Sequence, residues 1–600
     1  MAPGAAFFCF WNRLSVFPGT SRRTLPIDPP VSSPYHRNVQ PVISADQMRE
    51  IDRLTCETNQ TPSLLLMQAA AHACFKAIAT HFSDNPSGKR AQILCGPGNN
   101  GGDGAGLAVE LARAGVHVDL VLFGSIQKTK GDAQTNFQAA SSIASDKAAA
   151  PESVAGALSF VECDSLSTWE SLAQPGRSYD VIVDALFGTG LSRPLEGMFA
   201  QVVHHLAAIR RQREGLSPLI LSVDLPSGLD ADRAIPIGAA VEADMTVTFT
   251  APKLANIMPP ASHLNGHLLV ANIGSTASDI AATNPNVFVV EEEDARGWLS
   301  ETRYTPESFK NTHGHVLVIA GSRGYTGAAV LCGNAAMRSG AGLVTIATAA
   351  SAQAAVAASV MPEVMTTALA ETDRGAVSDD AIDHVMQLSA KANVVAIGPG
   401  LSAEDERTRR FVFATVKNRR TPVVLDADAL NCLAHLSDGW PAELQGSSAA
   451  PLIITPHAGE MLRLLGTTDK AVLDDRVAVA RDFAVRHKLI LVLKGERSLI
   501  AAPDGRVFIN PTGNAGLGTA GAGDTLTGII AGFIAQASGT LKEKADVLLA
   551  TIAALYVGGL AGDFAARDLG MRAMVASDIR EHLGEAVCTL DPNGEYPQSL

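Results

Sequence analysis

The sequence predicts an α/β protein built as two domains, on three observations. Short apolar runs alternate with helical stretches, the pattern of parallel βαβ units joined by right-handed crossovers. That alternation breaks once, at residues 275–300, where Ser, Thr, Asn and Pro give way to Glu291-Glu292-Glu293-Asp294. The chain of 600 residues is also longer than one core normally supports, and its 53 glycines with only 5% aromatic residues suit tight strand-to-helix turns.

Taken in order, residues 1–40 hold Arg13, Arg22, Arg23 and Arg37 against one acid, Asp28, a composition that loosely resembles an organelle transit segment. The apolar patch at 5–11 is short and lacks a basic stretch before it, so a secretory signal is not expected, and 1–40 reads as an extension or disordered tail. Residues 41–275 read as the first domain. Ser44 and Gln47 form a capping-box pattern, and strands are expected at 92–95, 116–123, 181–187, 219–223, 245–249 and 267–273. Residues 276–300 read as a junction and 301–595 as the second domain, with strands at 315–319, 343–347, 394–397, 423–425, 452–455 and 489–493. Pro503-Asp504-Gly505 reads as a hairpin turn, and 540–565 as a long helix.

Composition narrows the function. The balance of 47 basic and 61 acidic residues, with no basic stripe, disfavours nucleic acid as a partner. The eight scattered cysteines lack any Cys-x-x-Cys and read as reduced thiols of a cytoplasmic protein. No uninterrupted apolar run reads as a bilayer span, so no membrane partner is expected. Small-molecule substrates and a homo-oligomer of unspecified size are the expectation.

The most informative segment is 516–528, Gly-Leu-Gly-Thr-Ala-Gly-Ala-Gly-Asp-Thr-Leu-Thr-Gly. Its glycines let backbone N–H groups close around an anion, and the apolar run at 526–533 reads as a helix whose positive N-terminus faces the same anion. Asp524 at that junction is poorly suited to bind phosphate. It is well suited to take a proton from a hydroxyl that attacks a phosphoryl group. A glycine-rich turn with a capping Asp is the bland alternative.

In the first domain, Gly96, Gly98 and Gly101 satisfy G-x-G-x-x-G, with Asp119 roughly where a ribose-binding acid would stand. The same pattern occurs at Gly516, Gly518 and Gly521, so it is a weak signal. Asn99, Asn100 and Asp103 offer oxygens in one loop, Asp184 follows one strand, and Asp224 and Ser227 follow another. At the carboxyl edge of a parallel sheet these groups converge, and oxygens without His or Cys suit a hard cation.

Segments 97–104, 183–194 and 224–228 closely resemble the NAD(P)H-hydrate epimerase family over about residues 42–275. The resemblance implies that Asn99, Asn100, Gly101, Gly102, Asp103, Gly188, Thr189, Gly190, Leu191, Ser192, Arg193, Pro194 and Asp224 hold the hydrated nicotinamide nucleotide. It implies a K+ site of Asn100, Asp184 and Ser227, and a Rossmann-like three-layer domain. Gln68-Ala69-Ala70 departs from the family's usual Glu-Asn-Ala. Asp224 is the candidate acid/base, with its pKa expected to be raised by burial, while Asp184 beside a cation is expected to stay ionised.

Segments 321–328, 398–400, 426–431, 455–460, 494–495 and 521–524 together resemble the nucleotide-dependent NAD(P)H-hydrate dehydratases, of ribokinase-like fold, over about residues 285–590. This resemblance implies that Ala328, Gly400, His457 and Asp524 face the hydrate. Lys494, Gly495, Glu496, Arg497, Ser498 and Gly523 would meet ADP or ATP, with Mg2+ on its phosphates and ADP favoured. Asp524 is the candidate catalytic base. Two alternatives stay open from sequence: a ribokinase-type kinase of a vitamin precursor, and a first domain that only binds nucleotide or docks protein.

Overall fold

The computed structural model describes residues 39–58, 60–145, 157–173, 178–213, 215, 217–434 and 439–592. All but the last two residues of the expected extension over 1–40 lie outside the described residues. The chain divides into two compact units, with the division between Pro285 and Asn286.

In the first unit, strands β1 (Arg90–Cys95), β2 (His117–Leu122), β3 (Leu158–Glu162), β4 (Val181–Ala185), β5 (Leu219–Val223), β6 (Met245–Phe249) and β7 (His267–Ala271) pair in parallel in the order β3-β2-β1-β4-β5-β6-β7. Successive residues of β1 feed opposite faces: Ile93 and Cys95 enter one core and Leu94 the other, so the unit has three layers. Helix α1 (Ala45–Thr58) opens on the expected box, Ser44 N donating to Gln47 Oε1 at 2.9 Å and Gln47 N to Ser44 Oγ at 3.1 Å. Helices α2 (Ser63–His81) and α3 (Asn99–Arg113) cover one face, and α4 (Gly197–Gln212) covers the other through Val202, Val203 and Leu206. The order reverses at β1, whose neighbours are β2 and β4, and this makes the crevice at its C-terminal end.

Residues 276–300 are folded rather than a bare junction. Thr276 and Asp279 cap α5 (Ala277–Ala282), β8 (Val287–Val289) is a sheet strand, and α6 (Glu292–Glu301) follows with Glu291 and Asp294 as its box. Thr276 and the acidic residues there serve caps, which is why the segment resembles a linker in sequence.

The second unit's strands β9 (His315–Ile319), β10 (Leu343–Ala349), β11 (Met365–Leu369), β12 (Val394–Ile397), β13 (Val423–Leu425), β14 (Leu452–Ile454), β15 (Ile490–Leu493), β16 (Leu499–Ala501) and β17 (Val507–Ile509) join β8 in the order β8-β17-β16-β15-β14-β13-β12-β9-β10-β11. Pairing is parallel except across β16, which runs antiparallel to β15 and β17, the latter through the expected hairpin. Order reverses at β9, between β10 and β12. The helices of this unit include α7 (Thr326–Arg338), α8 (Asp428–Ala434), α9 (Ala458–Leu464), α10 (Ala522–Thr540) and α11 (Val547–Leu569). By length and composition α2 and α11 are apolar enough to cross a bilayer, contrary to the sequence expectation. Both pack into cores, however, with 67% of the apolar window of α11 buried among residues of the second unit's core.

Two candidate active sites

The first site assembles at the C-terminal ends of β1, β4, β5 and β6. Register sets Asp184 opposite Ser222, and the fully buried Asp184 carboxylate accepts from Ser222 Oγ at 2.8 Å, Ser227 Oγ at 2.6 Å, Ser227 N at 2.8 Å and Leu186 N at 3.3 Å. Burial pushes this carboxyl up while the Ser227, Ser222 and Leu186 donors oppose the rise. Ser227 Oγ also receives Phe187 N at 2.9 Å, so β4 and β5 share one polar knot.

Asp224 occupies a left-handed backbone conformation, φ +64°, a strain of about 1 kcal/mol of the kind that collects at functional sites. Its Oδ1 accepts from Lys253 Nζ at 2.6 Å and Thr248 Oγ1 at 2.9 Å. Lys253 is fully buried, and its other ammonium protons reach Thr248 Oγ1 at 2.9 Å and Phe249 O at 3.1 Å. The lone buried carboxyl expected at 224 is therefore replaced by an ion pair. Burial instead raises Asp103 well above the carboxylate range, with Asp224 and Asp52 adding to the rise. It pushes Asp52 on α1 up to about 6, opposed by Lys253 and reinforced by Asp224.

A Cβ built on Gly188 would meet Asn100 Oδ1 at 3.0 Å and Asp224 Oδ2 at 3.1 Å, so these groups flank one spot. Asn100 is buried and its Nδ2 has no hydrogen-bond partner among the described residues. Gly190 is open, and Ser192, Arg193 and Pro194 are exposed while Leu191 is buried and Thr189 half-buried. Gly101 and Gly102 are glycine for packing: a Cβ on Gly101 would lie 1.8 Å from Gly96 O, and one on Gly102 2.8 Å from Ala133. Asn99 is exposed at the start of α3, and Gln68 is exposed on α2. Asp119 bonds Ser159 Oγ at 2.6 Å and Tyr179 OH at 2.8 Å from within β2, away from any ribose-binding position at a strand end.

The second site gathers loops after β9, β12, β13, β14 and β15. Ser322 Oγ donates to Gly400 O at 2.8 Å, and a Cβ on Gly400 would meet Ala328 Cβ at 3.0 Å, which joins the first two loops. Asp426 follows β13 and accepts from Lys494 Nζ at 2.6 Å and Thr527 Oγ1 at 2.9 Å. Burial works to raise Asp426, but the Lys494 ammonium and the Thr455 and Thr527 hydroxyls outweigh it and hold the carboxyl low. Lys494 lies 3.9 Å from Glu460. A Cβ on Gly523 would sit 3.3 Å from Lys494 Nζ and 3.4 Å from Asp426 Oδ2, which places the start of α10 against this pair. Gly521 supplies the required φ of +85° as α10's N-cap.

Asp524, in the first turn of α10, is pushed up to about 6 by burial and by Asp426, with Lys494 opposing. Glu460 is pushed up to about 7, chiefly by burial. The 494–498 loop is held from below: Arg476 donates to Glu496 O at 2.8 Å and Leu493 O at 3.3 Å, Arg497 Nη1 to Pro511 O at 3.0 Å, and Ser498 Oγ to Gly495 O at 3.3 Å. His457 N-caps α9. Sequence reasoning missed Lys253, Arg476 and the pairing role of Asp426. Lys253 and Asp426 follow expected strands, but a lone basic residue such as Lys253 or Arg476 reads as solvated.

Two α/β crevices, each with a lysine–aspartate pair beneath strand ends, define a bifunctional enzyme of two centres. Family profiles match NAD(P)H-hydrate dehydratase over residues 316–584 and the YjeF-related protein N-terminus over residues 63–255. The bifunctional NAD(P)H-hydrate repair enzyme of Moorella thermoacetica is 37% identical over 554 residues, covering 92% of this chain and 98% of its own. That of Thermofilum pendens is 35% identical, with 92% and 96% covered. A crystal structure of the ADP/ATP-dependent NAD(P)H-hydrate dehydratase of Bacillus subtilis with ATP/Mg2+ is 29% identical over 50% of this chain and 98% of that one, with a TM-score of 0.42. The chain belongs to the bifunctional NAD(P)H-hydrate repair enzymes. Its N-terminal domain is an NAD(P)H-hydrate epimerase and its C-terminal domain an NAD(P)H-hydrate dehydratase.

Proposed function

We propose that the first unit interconverts the R and S hydrates through Asp224, and that the second dehydrates the S hydrate with Asp524 as base and ADP as donor. In hydrated NADH the C6 hydroxyl neighbours ring N1. Lys253 and Thr248 hold Asp224 Oδ1, which leaves Oδ2 beside Gly188 and Asn100; when the pair exists as neutral lysine and protonated Asp224, Oδ2 gives that proton to the departing hydroxyl. N1 pushes water out, and water returns from either face as Oδ2 takes the proton back.

A K+ ion would suit Asn100, Asp184 and Ser227, because each side chain offers an oxygen, Asn100 through its Oδ1 beside Gly188. When bound, the ion would supply positive charge near the Asp184 knot and hold the loop over the nucleotide. Mg2+ suits the second site as the counter-ion of the nucleotide's phosphates, because Asp426 and Asp524 make that crevice acidic.

In the second unit hydroxide is a poor leaving group, so a phosphoryl donor is consumed. Asp524 takes the C6 hydroxyl proton, and the oxygen attacks the terminal phosphorus of ADP, releasing AMP. The start of α10 and Lys494 offset the charge that develops. N1 then expels the phosphate, and loss of a C5 proton restores the dihydropyridine. The observation that carries this is the Asp524 carboxyl, pushed up to about 6 beside the Lys494–Asp426 pair, a base ionised at neutral pH and still basic enough to accept a proton. Asp524→Ala should abolish ADP-dependent return of dihydronicotinamide absorbance while epimerisation persists, and retained dehydration would remove the base from this carboxyl. A vitamin kinase would instead leave a stable phosphorylated product.

A further inference from the structure

His457 makes two sets of bonds that together fix its chemistry. Its ring Nδ1 accepts from Gly459 N at 3.0 Å and from Glu460 N at 3.3 Å. Its own backbone N–H donates to Glu460 Oε2 at 2.8 Å, closing a reciprocal box at the start of α9. A backbone N–H can only donate, so Nδ1 must hold a lone pair and the single ring proton must sit on Nε2. Nε2 lies 3.5 Å from Glu460 Oε1, beyond a good hydrogen bond, and the side chain is 55% exposed. Its proton therefore remains available to a ligand.

We infer that His457 serves the dehydratase as a permanently neutral hydrogen-bond donor, offering Nε2–H to an acceptor oxygen of the hydrate, and takes no part in proton transfer. A second proton on the ring would break both cap bonds and set a cation against the positive end of the backbone it caps. The charged groups around it agree. Lys494 beyond β15 and Arg463 on α9 disfavour an imidazolium, as does burial, against Asp426 beyond β13. Glu460, on the same helix, shares its own carboxyl between the His457 backbone and Lys494. The role is one of recognition: the site matches an oxygen acceptor, and the protons of the reaction pass through carboxyls.

This inference rests on the second site taking the hydrate, but part of its test needs no substrate. In the full-length chain labelled with 15N-histidine, the His457 ring, assigned by its absence in His457→Asn, is expected to show an unprotonated Nδ1 and a protonated Nε2 from pH 6 to 8. A protonated Nδ1 or an imidazolium at pH 7 would overturn the proposal. Asn is itself a good N-cap, so His457→Asn keeps the helix start while replacing the far-reaching Nε2 donor with a shorter amide. It should raise KM for the hydrate about tenfold, the worth of one neutral hydrogen bond, and leave KM for ADP and the acid limb of kcat unchanged. Wild-type KM for the hydrate, or loss of that limb, would count against it. If His457→Asn does not fold, His457→Ser, another N-cap former, carries the same comparison. Failure of Asp524→Ala to stop dehydration would instead sink the base assignment and leave this tautomer untouched.

Discussion

The two centres place a lysine against an aspartate at the same distance, 2.6 Å, beneath the C-terminal ends of parallel strands, yet they differ in which aspartate is held. In the first unit Lys253 grips the proposed acid/base, Asp224, directly. In the second Lys494 grips Asp426 and leaves Asp524 outside the pair, so burial and the neighbouring Asp426 push that carboxyl up to about 6. The first arrangement fixes a position: one oxygen is bound from behind and the other lies beside Gly188. The second sets a proton affinity. Epimerisation needs a proton given and recovered at one point, while phosphoryl transfer needs a base ionised before the reaction begins.

The sharpest way to break this contrast is Asp524→Ala, expected to cost dehydration about 10³–10⁴-fold while epimerisation stays within twofold of wild type, read by separate assays of the two half-reactions. Lys253→Met comes next. It strands a buried carboxylate, so the first unit should lose about 3 kcal/mol and epimerisation about 100-fold, while the second unit still dehydrates S hydrate. Thermal unfolding and the two assays on one preparation check this, and a loss below about 1 kcal/mol would mean the pair is not held as described.

A third expectation concerns pH. Below about 6 Asp524 carries a proton and is no base, so kcat/KM for dehydration should fall about tenfold per pH unit on the acid side. Stability runs the other way for this group. Its folded pKa lies above the unfolded value, so its contribution is complete below the ordinary carboxylate range and is lost as pH rises through about 6. A flat acid limb would contradict the base assignment. The smallest effect is expected at the cation site: exchanging potassium for lithium should slow wild-type epimerisation several-fold and leave the residual rate of Asn100→Ala unmoved. Equal sensitivity of both would place the cation elsewhere.

Most strands were legible because their apolar runs are buried on both faces. Of the strands missed, β3 and β11 mix half-buried with exposed residues at sheet edges, where an apolar run is not required, and β8 lies in the segment that reads as a junction. The candidate residues were legible wherever a motif marked them: Asp184 and Asp224 lie at strand ends, and Asp524 in the first turn of the helix after the glycine-rich loop. Lys253 was not, because only the folded chain shows that Thr248 and Asp224 wait for it inside the protein. Gly101 and Gly102 show the reverse. Their motif suggests ligand contact, and close packing gives both positions a second, independent reason to be glycine. Asp119 is likewise explained by Ser159 and Tyr179.

The most direct test of two separable carboxylate centres on one chain is complementation. Asp224→Asn and Asp524→Ala are each given the mixed R and S hydrates of NADH with ADP, singly and then together, and dihydronicotinamide absorbance is followed. The account requires Asp224→Asn to restore only the S fraction quickly, Asp524→Ala to restore none, and the mixture to restore all. Full rapid recovery by either variant alone, or no recovery by the mixture, would contradict it.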